Sequence, residues 1–135
     1  MGTIRYTPNQ SGIEQVLFSP NGITGAHVQQ VANRVAASAK ARVGVKSTDL
    51  RATIRAGPTP VRRGKGLTIE VVAGGDGVNY ALWHHEGTRP HVIRPRNARV
   101  LRFQVGGATV FATRVNHPGT RPNRYLTDAL RDAGL

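Results

Sequence analysis

Apolar residues recur at Val28, Val31, Ala32, Val35, Ala39 and Val43, three or four positions apart, and this spacing lines one face of a helix from about Thr24 to Val43. Thr24 is placed to cap its start, Lys40 and Arg42 complement the dipole of its last turns, and Gly44 is a natural stop. Ahead of it, Ile13 to Phe18 is a short apolar run closed by Ser19-Pro20-Asn21-Gly22, which predicts a strand entering a turn. Behind it, Leu50, Ala52 and Ile54 suit either a strand or a short helix.

The period then changes to two. Leu67, Ile69, Val71 and Ala73 alternate with Thr68, Glu70 and Val72, predicting a half-buried strand that ends at Gly74-Gly75-Asp76-Gly77. A second apolar piece, Val78 to Trp83, returns from that turn, with Tyr80, Leu82 and the single tryptophan as expected core anchors. Val92-Ile93 is a short strand candidate ended by Pro95. Leu101, Phe103 and Val105, then Gly106-Gly107, then Ala108 to Val115 predict a hairpin, because two glycines suit a primed turn. A terminal helix follows, with Asn123 as its cap and Tyr125, Leu126, Ala129 and Leu130 on one face.

Between these elements, residues 57–66 (Gly-Pro-Thr-Pro-Val-Arg-Arg-Gly-Lys-Gly) combine two prolines, three glycines and three positive charges. Such a run has little apolar surface to offset ordering entropy and reads as a projecting mobile loop. The expected fold is therefore α+β: one domain over residues 1–135, with a small antiparallel sheet packed by a long N-terminal helix and a short C-terminal helix, and a long basic loop.

Charge sharpens this picture. The 19 basic residues outnumber 7 acidic ones, the formal net charge is +12, and 16 of the 19 are arginine. Arginine forks onto carboxylate or phosphate and stacks, so it suits interfaces and nucleic acid better than simple solubility. Between Glu86 and Asp128 no acidic residue occurs, while Arg89, Arg94, Arg96, Arg99, Arg102, Arg114, Arg121 and Arg124 all lie there. Phosphate-backbone binding without sequence reading, or an acidic protein partner, fits such a field. A solvated basic surface and arginines pairing with the carboxylates of neighbouring subunits are the plainer alternatives.

Catalytic and cofactor chemistry finds little footing. Cysteine is absent, removing disulfides, thiolate metal sites and a cysteine nucleophile. His84, His85, His91, His117 and Glu86 invite a metal or a metal-dependent nuclease, but His84 and His85 on an extended segment would face opposite ways and no His-Glu-x-x-His spacing exists. No Gly-x-Ser-x-Gly elbow, carboxylate pair, P-loop or dinucleotide fingerprint appears. The expectation is a protein that is not an enzyme and holds no cofactor or metal. No stretch approaches the about 18 apolar residues of a membrane span, so it is expected to be soluble and made inside the cell.

The sharpest repetition is Gly-Thr-Arg-Pro, at Gly87–Pro90 and again at Gly119–Pro122. Glycine permits unusual backbone angles, and proline fixes φ and holds the preceding arginine extended. Two rigid corners, each aiming an arginine outward, are the expectation. These corners belong to an ordered set: Ala39-Lys40; Leu50-Arg51 to Ile54; Tyr80-Ala81 to Glu86-Gly87-Thr88-Arg89-Pro90-His91; Leu101 to Phe103; Val115-Asn116-His117-Pro118-Gly119-Thr120-Arg121-Pro122; and Tyr125-Leu126 to Ala129-Leu130. Across roughly residues 30–131 this set resembles the tail-completion and head–tail joining proteins of long-tailed double-stranded DNA bacteriophages. The chain departs from that pattern at Gly44–Asp49, where a proline-containing turn is commoner, and at His84-His85, where a hydrophobic residue often precedes the Glu.

The resemblance implies a non-enzymatic virion component, assembled in the host cytoplasm and located in the neck at the head–tail junction. It also implies a homo-oligomeric ring of six subunits, set between head-completion or connector proteins and the tail terminator or tail tube, around a channel for double-stranded DNA. Under it, Arg89, Arg121, Arg124, Glu86 and His117 are candidate contacts to neighbouring subunits or partners, and Arg62, Arg63 and Lys65 are loop contacts to a neighbour or to DNA. A nonspecific basic nucleic-acid-binding protein is the alternative reading.

Overall fold

The computed structural model of the chain describes residues 2–44, 47–75 and 77–135; the departing segment Gly44–Asp49 and the predicted turn Gly74–Gly77 therefore lie partly outside the described residues. The fold is α+β. The chain divides into two compact units, Met1–Ala81 with Tyr125–Leu135, and Leu82–Arg124.

The first unit opens with helix α1 (Gln10–Phe18), where the sequence predicted a strand. Asn9 caps it, its Oδ1 accepting the Gly12 N–H at 3.0 Å, and Pro20 follows the C-cap Ser19. The spacing of Ile13, Val16 and Leu17 was already helical, but a six-residue apolar run carries too few repeats to separate the two periods.

Helix α2 (Ile23–Arg42) matches its predicted stripe, burying Ala32, Val35, Ala36 and Ala39, with Val43 buried at the C-cap. Its N-cap is Gly22, and Thr24 instead donates its hydroxyl to the Val16 carbonyl at 2.7 Å, tying α2 to α1.

Helix α3 (Thr48–Thr53) resolves the Leu50–Ile54 ambiguity in favour of a short helix, with Leu50 and Ile54 fully buried. Thr53 bridges it to the turn beyond, donating to the Leu50 carbonyl at 2.7 Å and accepting the Gly74 N–H at 2.8 Å. Strand β1 (Arg55–Ala56) then pairs antiparallel with β4 (Val71–Val72), and β2 (Val61–Arg63) with β3 (Gly66–Thr68). The basic run at residues 57–66 is thus no structureless loop: Pro60 is buried, Gly57 donates to the Glu70 carbonyl at 2.8 Å, and a tight turn at Gly64-Lys65 closes a hairpin. The alternation from Leu67 to Ala73 does read out as half-buried and exposed positions, but Ile69 and Glu70 interrupt the strand so that its halves pair with different partners.

Helix α5 (Tyr125–Asp132) completes the core, where Tyr125 and Ala129 meet Val35, Ala36, Ala39, Val43, Leu50 and Ile54. The alanines let the helices approach closely, and Tyr125 fills the space that remains. Leu126 packs half-buried against this cluster, but Leu130 is exposed. Asp132 ties the two helices at their ends: it accepts from the Arg42 guanidinium and, at 3.2 Å, from the Ser38 hydroxyl. The Arg42 hydrogen bond holds the Asp132 carboxyl below the usual carboxylate range. A folded-state pKa that is depressed contributes stability above the unfolded value and loses it as pH falls through the folded one. Asp132→Asn should therefore flatten the fall of thermal stability on acidification below about pH 4, read as Tm against pH for both chains; parallel curves would dismiss the tie.

The second unit contains the last turns of α4 (Ala81–Glu86), strand β5 (His91–Ile93) paired with β8 (Val115–His117), and β6 (Leu101–Val105) paired with β7 (Ala108–Ala112). The β6–β7 hairpin is the predicted one, its Gly106 and Gly107 both at positive φ (56° and 86°) as a type I′ turn requires. The segment Val78 to Trp83 is not a returning strand. Tyr80, Leu82 and Trp83 are 38%, 67% and 58% exposed, so the core aromatic is Tyr125 and not the tryptophan. Among the described residues the single expected sheet is four separate two-stranded ladders.

Candidate functional site

The two Gly-Thr-Arg-Pro segments are not separate corners; they cross and pair with each other. Thr88 and Thr120 form an antiparallel bridge, Thr88 N–H donating to the Thr120 carbonyl at 3.1 Å and Thr120 N–H to the Thr88 carbonyl at 3.0 Å. Each N–H also reaches the opposite threonine hydroxyl at 3.1 Å, and the two hydroxyls share a further hydrogen bond of 3.1 Å.

The pairing explains the repeated residues. An antiparallel pair has a local twofold axis between directly opposed residues, so equivalent positions on the two strands meet equivalent surroundings. Gly87 and Gly119 both take positive φ, 73° and 84°, and both abut the opposite backbone: a Cβ on Gly87 would stand 2.5 Å from the Thr120 carbonyl oxygen, and one on Gly119 would collide with the Thr88 carbonyl oxygen. Pro90 lacks an N–H and interrupts the pairing before the β5–β8 strands, and Pro122 lacks one on the other side of the bridge.

The bridge shares the register of the β5–β8 ladder three residues further along, where His91 lies opposite His117. Their rings stack with centroids 5.0 Å apart. His91 Nδ1 donates to the Arg89 carbonyl at 2.9 Å, and His117 Nδ1 accepts the Gly119 N–H at 3.0 Å. These contacts fix opposite roles for the two Nδ1 atoms and lock both imidazoles against the crossing.

Arg89, Arg121 and Arg124 are exposed, and no ion pair or side-chain hydrogen bond engages them among the described residues. His117 is half-buried in the stack, so it holds the frame. Glu86 accepts from His85 Nδ1 at 2.8 Å. His84 and His85 sit in the last turn of α4 and not on the extended segment that the sequence suggested; the His84 carbonyl accepts the Asn123 N–H at 3.1 Å, tying α4 to the end of the second Gly-Thr-Arg-Pro. Asn123 thus anchors α4.

The basic hairpin is likewise engaged within the chain. Arg62 lies over the Phe18 ring at 5.0 Å and 3.7 Å from the Glu14 carboxylate, and Arg63 is 3.5 Å from Glu70. Lys65 stands exposed in the turn.

Thr88 and Thr120 are the residues that sequence reasoning missed as partners. The signal was present: histidine follows Thr88 by three positions and precedes Thr120 by three, the reversed offset that antiparallel pairing demands. Among the described residues no three of His, Asp and Glu converge as metal ligands, and no helix is long and apolar enough to cross a membrane. No family model, curated protein or solved structure matches the chain.

Proposed function

We propose that this chain is a structural, non-catalytic virion protein of a tailed-bacteriophage neck, assembling into a ring that joins the DNA-filled head to the tail. The observation that carries the reading is the second unit: no residue of Leu82–Arg124 is buried, yet the Gly-Thr-Arg-Pro crossing and two ladders hold it in a defined shape. A unit with a hydrogen-bonded frame and no core of its own gains its packing from other molecules. On the β6–β7 hairpin, Leu101, Phe103 and Val105 face Ala112, Val110 and Ala108 across the strands, an apolar face with Val105 and Val110 exposed. The ordered motifs that resemble tail-completion and head–tail joining proteins supply the class of assembly. Head-to-tail contacts closing a ring of six, with head-completion and tail-terminator proteins above and below, would cover such faces.

Electron microscopy and light scattering of the purified chain, alone and with proteins encoded beside it, test the reading. Rings, or head–tail particles that fail to join without the chain, are the expected result. Arg89→Ala and Arg121→Ala should weaken assembly while leaving the protomer folded, since both side chains are exposed. A chain that remains monomeric with those proteins, together with virions that lack it, overturns the reading.

A further inference from the structure

We infer that the second unit carries a binding surface for the phosphate backbone of double-stranded nucleic acid, and that the basic β2–β3 hairpin does not. Eight arginines and no lysine lie between Leu82 and Arg124, against Glu86 as the sole carboxylate. All eight, Arg89 to Arg124, are exposed, and none makes an ion pair or side-chain hydrogen bond among the described residues. In the first unit, by contrast, half of the eight arginines, Arg42, Arg62, Arg63 and Arg131, meet a carboxylate of their own chain.

Further copies of the chain cannot supply enough counter-charge for all eight. Each adds 19 basic residues and only 7 acidic ones. Of those seven, Glu14, Glu70, Glu86, Asp128 and Asp132 are already engaged within the chain. Self-association therefore raises the imbalance, and the neutralising group must be external and dense in negative charge. Duplex DNA carries about one charge per 1.7 Å of axis, and arginine matches phosphate with a bidentate fork.

The placement of the arginines favours backbone contact over base reading. Arg94, Arg96 and Arg99 occupy the β5–β6 connection, Arg102 lies on β6, Arg114 precedes β8, and α4 carries none. No helix of this unit therefore presents a basic face to a groove. Arg94 and Arg114 directly follow and precede the last paired residues, Ile93 and Val115. Two like charges at the end of a ladder repel one another, and a bridging phosphate relieves that repulsion.

The inference goes beyond the ring reading and fails separately from it. Fluorescence anisotropy of the full chain with labelled duplexes of two unrelated sequences, from about 50 to about 200 mM salt, should give equal affinities and a linear fall of log K with log[salt]. The triple substitution Arg94→Gln, Arg96→Gln and Arg99→Gln should make that slope shallower by about 2–3 and weaken binding more than about tenfold at the lower salt. Arg62→Gln, Arg63→Gln and Lys65→Gln together should leave the slope nearly unchanged. Arg102→Gln with Arg114→Gln, judged by circular dichroism beside the first triple, provides a second reading should either variant misfold. Equal loss in the hairpin variant overturns the assignment, as does an unaffected slope in both second-unit variants. Absence of duplex binding at low salt, with polyglutamate bound instead, overturns it in favour of an acidic protein partner. Rings that do not bind DNA defeat this inference alone; a monomer that binds it defeats the ring alone.

Discussion

Replacing Gly119 with alanine should open the Thr88–Thr120 crossing while leaving the α2–α5 core folded. Gly119 holds φ at 84°, which costs a residue with a side chain about 1–2 kcal/mol. Its added Cβ would also collide with the Thr88 carbonyl oxygen and stand 2.9 Å from the Arg89 carbonyl carbon and 3.0 Å from the Pro90 nitrogen. All three atoms are backbone, so relief requires the strands to separate. Separation removes the reciprocal backbone hydrogen bonds and the threonine hydroxyl bonds, each about 1 kcal/mol. The expected local loss is about 3–5 kcal/mol, read as amide exchange at Thr88 and Thr120 faster by about a hundredfold or more.

Gly107→Ala is the informative comparison. Its φ of 86° is nearly the same, but nothing stands within 4 Å of its Cβ position, so it should lose only the backbone strain. Gly87→Ala should resemble Gly119→Ala, because its Cβ would stand 2.5 Å from the Thr120 carbonyl oxygen, and the double substitution should cost less than the sum. Unchanged exchange at Thr88 in Gly119→Ala would mean that the crossing does not hold the unit.

The repetition was the most legible sign of this site and also the most easily misread. Two identical tetrapeptides suggest two similar corners, and each does contain the predicted positive-φ glycine and an exposed arginine before proline. What periodicity cannot express is that the corners are each other's partners, because pairing depends on the chain between them. Elsewhere legibility follows length. The stripe along α2 repeats often enough to fix both element and buried face, and the alternation of β6 with its two-glycine loop fixes the hairpin. The runs at Ile13–Phe18 and Val78–Trp83 are too short to separate strand from helix by period.

Tyr125→Ala should give the largest loss in the first unit, and Tyr125→Phe a small one. Tyr125 is 1% exposed and lies in the cluster formed by Val35, Ala36, Ala39, Val43, Leu50, Ile54 and Ala129. Those neighbours are aliphatic and mostly small, so they cannot swing inward to fill the space of a lost ring, and truncation should cost about 3–5 kcal/mol. The hydroxyl contributes much less, since it donates to the Ala81 carbonyl at a long 3.4 Å. Burial raises the Tyr125 pKa above its ordinary value, so the folded state keeps the proton that the unfolded chain releases. Stability from this group is present below about pH 10 and is lost as pH rises through the folded pKa. Tyr125→Phe should therefore hold its denaturation midpoint better than the parent chain above about pH 10 while staying close to it at neutrality. Denaturant titrations of the three chains at neutral and alkaline pH separate the terms: a Phe variant as unstable as the Ala variant would place the stabilisation in the hydroxyl and contradict the packing argument.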